Sequence, residues 1–181
     1  MSKRTYDFNK ENEISRESYP LSIKHMNKYF NSEFKECGKD RDILGADISD
    51  ENIDIDIKYN HRYYNWNFII EWQVIGDNGY TKIGNTIDPD KTTDYLLWIT
   101  LNATYLINYK TIREVVIKNQ DKIKSKFGLC DAWNDGYRAI LTKVPMHYIQ
   151  KHIVAEIPFV VGDCRPAQKS WEEECEELLG F

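Results

Sequence analysis

The sequence has little of what marks membrane, secreted or zinc-binding proteins. No apolar run approaches the roughly 18 residues that a membrane-spanning helix needs, and residues 1–18 lack the apolar segment of a secretory leader. The four cysteines are far apart and form no CxxC pair, which argues against a zinc site and is typical of reduced thiols. We therefore expect a soluble, cytoplasmic protein with no membrane partner.

Neither the histidines nor any internal repeat indicates a functional site in this sequence. The four histidines match no HExxH or similar spacing, which argues against a zinc hydrolase or another His-based hydrolase. A chain of 181 residues, 41% hydrophobic and without repeats, can bury one core. The predicted organisation is a polar N-terminal arm over residues 1–17, a single domain over 18–168 and an acidic C-terminal tail over 169–181.

Charge is unevenly distributed along the chain. The tail holds five Glu and one Lys, so most of the net charge of −5 belongs to it. Residues 110–126 are basic instead, with six Lys or Arg against two acidic residues. This segment is either a solvated helix surface or a contact for a nucleic-acid backbone. The candidate nucleic-acid contacts are Lys118, Lys122 and Lys124 in this segment and Arg62 in the aromatic and basic stretch 60–66.

Hydrophobic spacing predicts a first helix over residues 20–37. Apolar residues recur there at three- and four-residue intervals from Ile23 to Phe34. At 100° per residue, Glu33 falls beside Met26 at the edge of the apolar stripe. We therefore expect Glu33 to face inward more than a surface glutamate would.

Alternation of apolar and polar residues predicts the strands that follow. In residues 53–58 three Ile share one face, while Asp54, Asp56 and Lys58 share the other. Residues 42–47 are predicted to pair with this strand across a turn. Residues 67–75 are apolar on both faces except at Glu71 and Gln73, and they are predicted to continue the same sheet as a buried central strand.

The second half of the predicted domain contains two more strands and a helix. Residues 93–101 form an apolar strand, Thr111 and Glu114 make a capping box for a helix that reaches about Lys126, and residues 137–145 form a late strand. A helix or turn is predicted near 146–153. This order predicts a mixed sheet flanked by helices, of the α/β or α+β class.

Five aspartates lie within residues 42–59, "DILGADISDENIDIDIKY". Carboxylates held close together repel one another, and each loses hydration when it is shielded from water. A cation bound between them would relieve both costs. The hairpin therefore predicts a cation site.

Asp47, followed after eight intervening residues by the triplet Asp56-Ile57-Lys58, resembles the signature of the PD-(D/E)XK nuclease superfamily. The resemblance implies a restriction-endonuclease-like fold and a nuclease that hydrolyses DNA, with RNA not excluded and a homodimer possible. It implies Mg²⁺ or Mn²⁺ as the cofactor and Lys58 as the residue that orients or deprotonates the attacking water. The implied metal ligands are Asp47, Asp56 and Glu71, with Glu33 as an outer carboxylate.

Two alternatives remain open at this point. In a second register, Glu71-Trp72-Gln73 is the catalytic triplet, Gln73 replaces the lysine, and Asp54 or Asp56 is the leading aspartate. We prefer the first register because it keeps a true lysine. In the second alternative, the chain is a catalytically inactive nuclease-like or acidic inhibitor protein that engages a nucleic-acid-processing partner.

Overall fold

The computed structural model describes residues 15–60, 67–134 and 136–164, and two β-sheets organise these residues. Ten strands lie in the described part of the chain. They are β1 (Lys35–Glu36), β2 (Ile48–Ser49), β3 (Asp54–Tyr59), β4 (Asn67–Gly76), β5 (Thr81–Ile83), β6 (Tyr95–Ile99), β7 (Thr104–Asn108), β8 (Cys130–Asn134), β9 (Tyr137–Pro145) and β10 (Ile153–Ile157).

The helices connect and flank these sheets. They are α1 (Tyr19–Phe30), α2 (Lys39–Ile43), α3 (Tyr109–Lys118), α4 (Gln120–Phe127) and α5 (Val161–Cys164). Two short 3₁₀ turns, Met146–Tyr148 and Gln150–His152, precede β10. Within the described ranges, none of the helices has the length and apolar character needed to cross a membrane.

The first sheet is mixed and the second is antiparallel. The order of the first is β1-β2-β3-β6-β7-β10, in which β3 and β6 run parallel and the other neighbours antiparallel. The order of the second is β5-β4-β9-β8. The predicted class, a mixed α/β chain of the α+β type with helices on a mixed sheet, is confirmed.

The central strands of the first sheet, β3, β6 and β7, are largely buried on both faces. Ile55, Ile57 and Leu97 pack with α1 on one face. On the other face, Leu96 and Trp98 pack with Phe68 of the second sheet and with α3. Asp56 and Lys58 lie opposite Leu96 and Trp98 in the β3–β6 register, so their side chains enter the layer between the sheets. On the polar face of β3, Asp56 is therefore buried, whereas Lys58 stays partly exposed.

The predicted pairing of residues 42–47, 53–58 and 67–75 as three successive strands of one sheet is wrong. β4 forms as predicted, but it belongs to the second sheet, and the neighbour of β3 on that side is β6. Residues 42–47 do not form the partner strand, because α2 occupies residues 39–43 and the pairing falls to Ile48–Ser49. Alternation predicts a strand but does not specify the sheet to which it belongs.

Two predicted helix boundaries also need correction. The first helix ends at Phe30, because Asn31 adopts a left-handed conformation (φ 51°), and residues 35–36 are extended. The later helix begins at Tyr109, two residues before the predicted cap, since the Asn108 side chain accepts the N-capping bond from the Thr111 amide. The late strand over 137–145 and the turns after it are confirmed.

Candidate active site

Two aspartates and two lysines line one small pocket at the edge of β3. Its volume is about 100 Å³. The lining residues come from the hairpin, from the loop that precedes β6 and from the start of α3. They are Gly45, Asp47, Asp56, Lys58, Asn85, Lys91, Thr93 and Tyr109.

Asp47 is held against β3 by both its backbone and its side chain. Its amide donates to the carbonyl of Ile55 at 2.9 Å, and its Oδ2 accepts from the amide of Ile57 at 2.6 Å. Its Oδ1 accepts from the hydroxyl of Tyr19 at 2.8 Å. The first helix therefore reaches the site through Tyr19, a residue that no sequence pattern had indicated.

Asp56 and Lys58 form an ion pair on the same face of β3. The Lys58 Nζ lies 2.8 Å from Oδ1 of Asp56. The Asp56 side chain is 10% exposed and that of Lys58 is 41% exposed. Lys58 donates a hydrogen bond to one oxygen of this carboxylate. A carboxylate has about four lone-pair sites, so it keeps acceptor capacity for a ligand.

The electrostatics of the pocket favour a cation near Asp47. Burial and the neighbouring Asp56 carboxylate together raise the pKa of Asp47 from 3.8 to about 6, although Lys58 and two hydrogen bonds oppose the shift. Burial alone would lower the pKa of Lys58, but the carboxylates of Asp56 and Asp47 outweigh it and raise this pKa. Burial and Asp56 raise the pKa of Tyr109 to about 12, so its phenol stays neutral.

The loop over residues 84–93 closes the pocket and is fixed at both ends. The Gly84 amide donates to the carbonyl of Trp72 on β4 at 2.9 Å. Arg113 of α3 donates to the carbonyl oxygens of Thr86, Asp88 and Lys91. The loop therefore holds Asn85, Lys91 and Thr93 in place.

Gly84→Ala is expected to destabilise the protein by about 2–3 kcal/mol or more. A Cβ at this position would lie 2.7 Å from the carbonyl carbon of Trp72 and closer still to the Glu71 carbonyl, and backbone atoms cannot move aside cheaply. Urea unfolding measures the effect. Gly38→Ala is the matched control, because an added Cβ there has nothing within 4 Å. Equal stability of the two variants would show that the loop over residues 84–93 does not pack closely against β4.

The other carboxylates predicted for the site lie elsewhere. The inward orientation of Glu33 is wrong: its side chain is 82% exposed and lies 3.5 Å from Lys35, because the helix has already ended. Glu71 lies on the second sheet and does not line the pocket. Its Oε1 accepts from the Asn85 amide at 2.9 Å, so it supports a pocket residue from behind. Gln73, two residues further along β4, does not line the pocket either.

No family model matches this chain. The searches of curated proteins and of solved structures found no match either. Evidence for a function therefore comes from the geometry of the pocket and from its chemistry.

The candidate nucleic-acid contacts differ in their environments. Lys118 and Lys122 are exposed on α3 and α4. Lys124 lies over the ring of Trp72, with 4.5 Å from its Nζ to the ring centroid, and its Nζ also donates to Gln120. This contact secures α4 against β4. Arg62 lies outside the described residues.

The donor set of the pocket suits a hard divalent cation. In the described part of the chain, no three His, Cys, Asp or Glu side chains are grouped as a ready-made metal site. The pocket offers two carboxylates in a volume of about 100 Å³, which leaves room for water molecules. Mg²⁺ is commonly bound by one or two carboxylates and keeps several waters, so the residues present fit this ion.

The remaining pocket residues have only weak signals in the sequence. Asn85, Lys91 and Thr93 lie in a segment whose Gly-Asn and Asp-Pro pairs indicate a loop. A polar loop, however, does not indicate which sheet edge it covers. In the sequence, Tyr19 and Tyr109 resemble ordinary apolar residues at the start of a helix, so nothing marks them as residues of a site.

Proposed function

We propose that this protein is a Mg²⁺- or Mn²⁺-dependent nuclease that hydrolyses phosphodiester bonds of DNA, as members of the PD-(D/E)XK superfamily do. The observation that carries the proposal is the convergence of Asp47, Asp56 and Lys58 on one pocket of about 100 Å³. A cytoplasmic location belongs to the same proposal.

Asp47 and Asp56 would hold the metal ion. Once bound, Mg²⁺ would supply positive charge to the phosphate oxygens and activate a water molecule for attack. Both carboxylates are already oriented, because Asp47 is fixed by Tyr19 and the Ile57 amide, and Asp56 by Lys58. Preorganised ligands avoid the free-energy cost of reordering the site during the reaction.

Lys58 would position the attacking water and the phosphate. Its ammonium group lies 2.8 Å from Asp56 and at the surface of the pocket, where it donates hydrogen bonds. Outside the pocket, the exposed Lys118 and Lys122 would contribute to attraction of the DNA backbone. These contacts carry no base-specific information.

Lys58→Ala is expected to lower kcat about 10²- to 10⁴-fold, since it removes the positioned donor at the reacting group. Supercoiled, linear and single-stranded DNA would be incubated with the wild type and the variant in Mg²⁺, Mn²⁺ or EDTA, and cleavage followed on gels. Circular dichroism checks that both proteins are folded. The wild type should cut only with metal.

Gln73→Ala is the control that separates the two registers. It should cut at the wild-type rate, because Gln73 lies outside the pocket. Loss of cleavage in Gln73→Ala but not in Lys58→Ala would show that the catalytic triplet is Glu71-Trp72-Gln73 on β4. Failure of the wild type to cut any substrate or bind either metal would favour the inhibitor alternative.

A further inference from the structure

Lys91 is a second lysine that lines the pocket, and the Asp-x-Lys pattern does not account for it. This lysine lies 33 positions after Lys58 in the sequence and lines the same cavity. Its side chain runs over Gly45. A Cβ at Gly45 would lie 2.9 Å from Cδ of Lys91 and 2.9 Å from Oγ1 of Thr93. The space that Lys91 occupies therefore depends on a glycine at position 45.

The backbone around Lys91 is fixed independently of its side chain. The Lys91 carbonyl accepts from Nη1 of Arg113 at 2.6 Å, and its amide donates to the Asp88 carbonyl at 3.3 Å. Two residues later, Oγ1 of Thr93 donates to the Gly45 carbonyl at 2.8 Å. These bonds tie the loop to the hairpin and to α3, so they position Lys91 at the pocket.

The size of the pocket limits what can enter it. A volume of about 100 Å³ corresponds to only a few water molecules at ~30 Å³ each. Pockets that enclose drug-sized ligands measure roughly 300–1,000 Å³. A phosphoryl group fits such a space, whereas a whole nucleoside would extend beyond it.

The charges of the pocket favour an anion once a metal ion is present. The two aspartates and the two lysines balance when all four are ionised. A divalent cation then leaves an excess of positive charge. A phosphodiester is the anion that the proposed reaction brings to this place.

We propose that Lys91 binds a non-bridging oxygen of the substrate phosphate, and that the site takes the nucleic-acid backbone and no base. This inference rests on the proposed function and names its substrate class. It makes Lys91 a substrate-binding residue and leaves water positioning to Lys58. Cleavage would accordingly show no base preference at the cut phosphate.

The test compares Lys91→Ala, Lys91→Arg and the control Lys82→Ala, which alters an exposed lysine on β5. The substrate is a fluorescein-labelled single-stranded oligonucleotide. kcat and KM are measured with Mg²⁺. Binding is measured by fluorescence anisotropy with Ca²⁺ in place of Mg²⁺, over a series of salt concentrations. Circular dichroism confirms that each variant is folded.

Lys91→Ala is expected to raise KM roughly 10- to 100-fold, the effect of losing one hydrogen bond to a charged group, with kcat within about threefold. The slope of log K against log salt should fall by about one. Lys91→Arg should recover most of the affinity, and Lys82→Ala should match the wild type. An oligonucleotide with an abasic site beside the cut phosphate should be cut within about threefold of the normal rate.

The outcomes separate this inference from the proposed function. If the wild type cuts DNA but Lys91→Ala leaves KM and the salt slope unchanged, the inference is overturned and the nuclease proposal stands. If the wild type binds but does not cut, and the slope still falls in Lys91→Ala, the phosphate contact stands and the nuclease proposal fails. Absence of both binding and cleavage overturns both. A loss of more than tenfold on the abasic oligonucleotide overturns the exclusion of bases.

Discussion

Asp56→Asn is expected to lower metal-dependent DNA cleavage by about 10³-fold or more in kcat. The substitution keeps the size of the side chain but removes the charge that would hold the metal, and metal stabilisation of the transition state is worth several kcal/mol. The ion pair with Lys58 is lost at the same time. Single-turnover cleavage with Mg²⁺ measures the chemical step directly.

Asp54→Asn is the matched control for this substitution. Asp54 lies on the same face of the same strand, two residues earlier, but its carboxylate bonds to Arg41 at 3.1 Å and to Thr92 at 3.3 Å and does not line the pocket. The cleavage activity of Asp54→Asn should stay within about threefold of that of the wild type. Equal losses in both variants would mean that any neutralised charge on β3 impairs the protein, and the pocket would have no special role.

The contrast between Asp54 and Asp56 indicates what the sequence could and could not specify. Alternation placed both residues on one face of β3, and that placement is correct because side-chain direction in a strand is a local property. The sequence could not separate their roles. Arg41 approaches Asp54 from α2, a helix over residues 39–43 that was not predicted and that overlaps the start of the strand expected over 42–47.

The turn between Asp47 and Asp56 was predictable in the same local sense, although the strand that pairs with β3 is Ile48–Ser49 and not residues 42–47. Asp47 and Asp56 come together because the turn between β2 and β3 is tight, and Asp50 stabilises it by accepting from the amides of Asn52 and Ile53. No distant part of the chain is needed for this arrangement. The spacing of the two aspartates therefore carried real information about the pocket.

The pairing of strands that are distant in the sequence could not be predicted from local patterns. Glu71 was expected beside Asp56 because consecutive strands often pair. In the structure β6 takes that place, and the connection between β3 and β6 contains the β4–β5 hairpin of the other sheet. Lys91 and Asn85 reach the pocket through this connection. Their arrival depends on tertiary packing, which hydrophobic periodicity does not encode.

The raised pKa of Asp47 links the proposed function to stability. Its carboxyl group has a pKa of about 6 in the folded protein and an ordinary value of 3.8. Between these values the folded state binds a proton that the unfolded state has released. Stability from this group is therefore complete below about pH 3.8 and is lost as the pH rises through 6. At neutral pH without metal, the ionised Asp47 destabilises the fold.

Asp47→Asn is accordingly expected to have opposite effects on activity and on stability. Cleavage should fall about 10²- to 10³-fold, because a proposed metal ligand loses its charge. In EDTA at pH 7.5, the free energy of unfolding should rise by about 1–3 kcal/mol, because the penalty of a buried, repelled carboxylate is gone. The asparagine oxygen still accepts from the Ile57 amide, which limits the loss of hydrogen bonding.

Urea unfolding at pH 7.5 and 4.5, with EDTA or Mg²⁺, measures these effects on stability. The advantage of Asp47→Asn should shrink at pH 4.5, where Asp47 is largely protonated in the folded wild type. Mg²⁺ at pH 7.5 should stabilise the wild type by RT ln(1 + [Mg²⁺]/Kd) and should have little effect on the variant. A variant less stable than the wild type at pH 7.5 in EDTA would mean that the Asp47 carboxylate stabilises the hairpin and is not kept there to bind a cation. A more stable variant that no longer cuts would show that the Asp47 carboxylate is needed for cleavage although its charge lowers the stability of the folded protein.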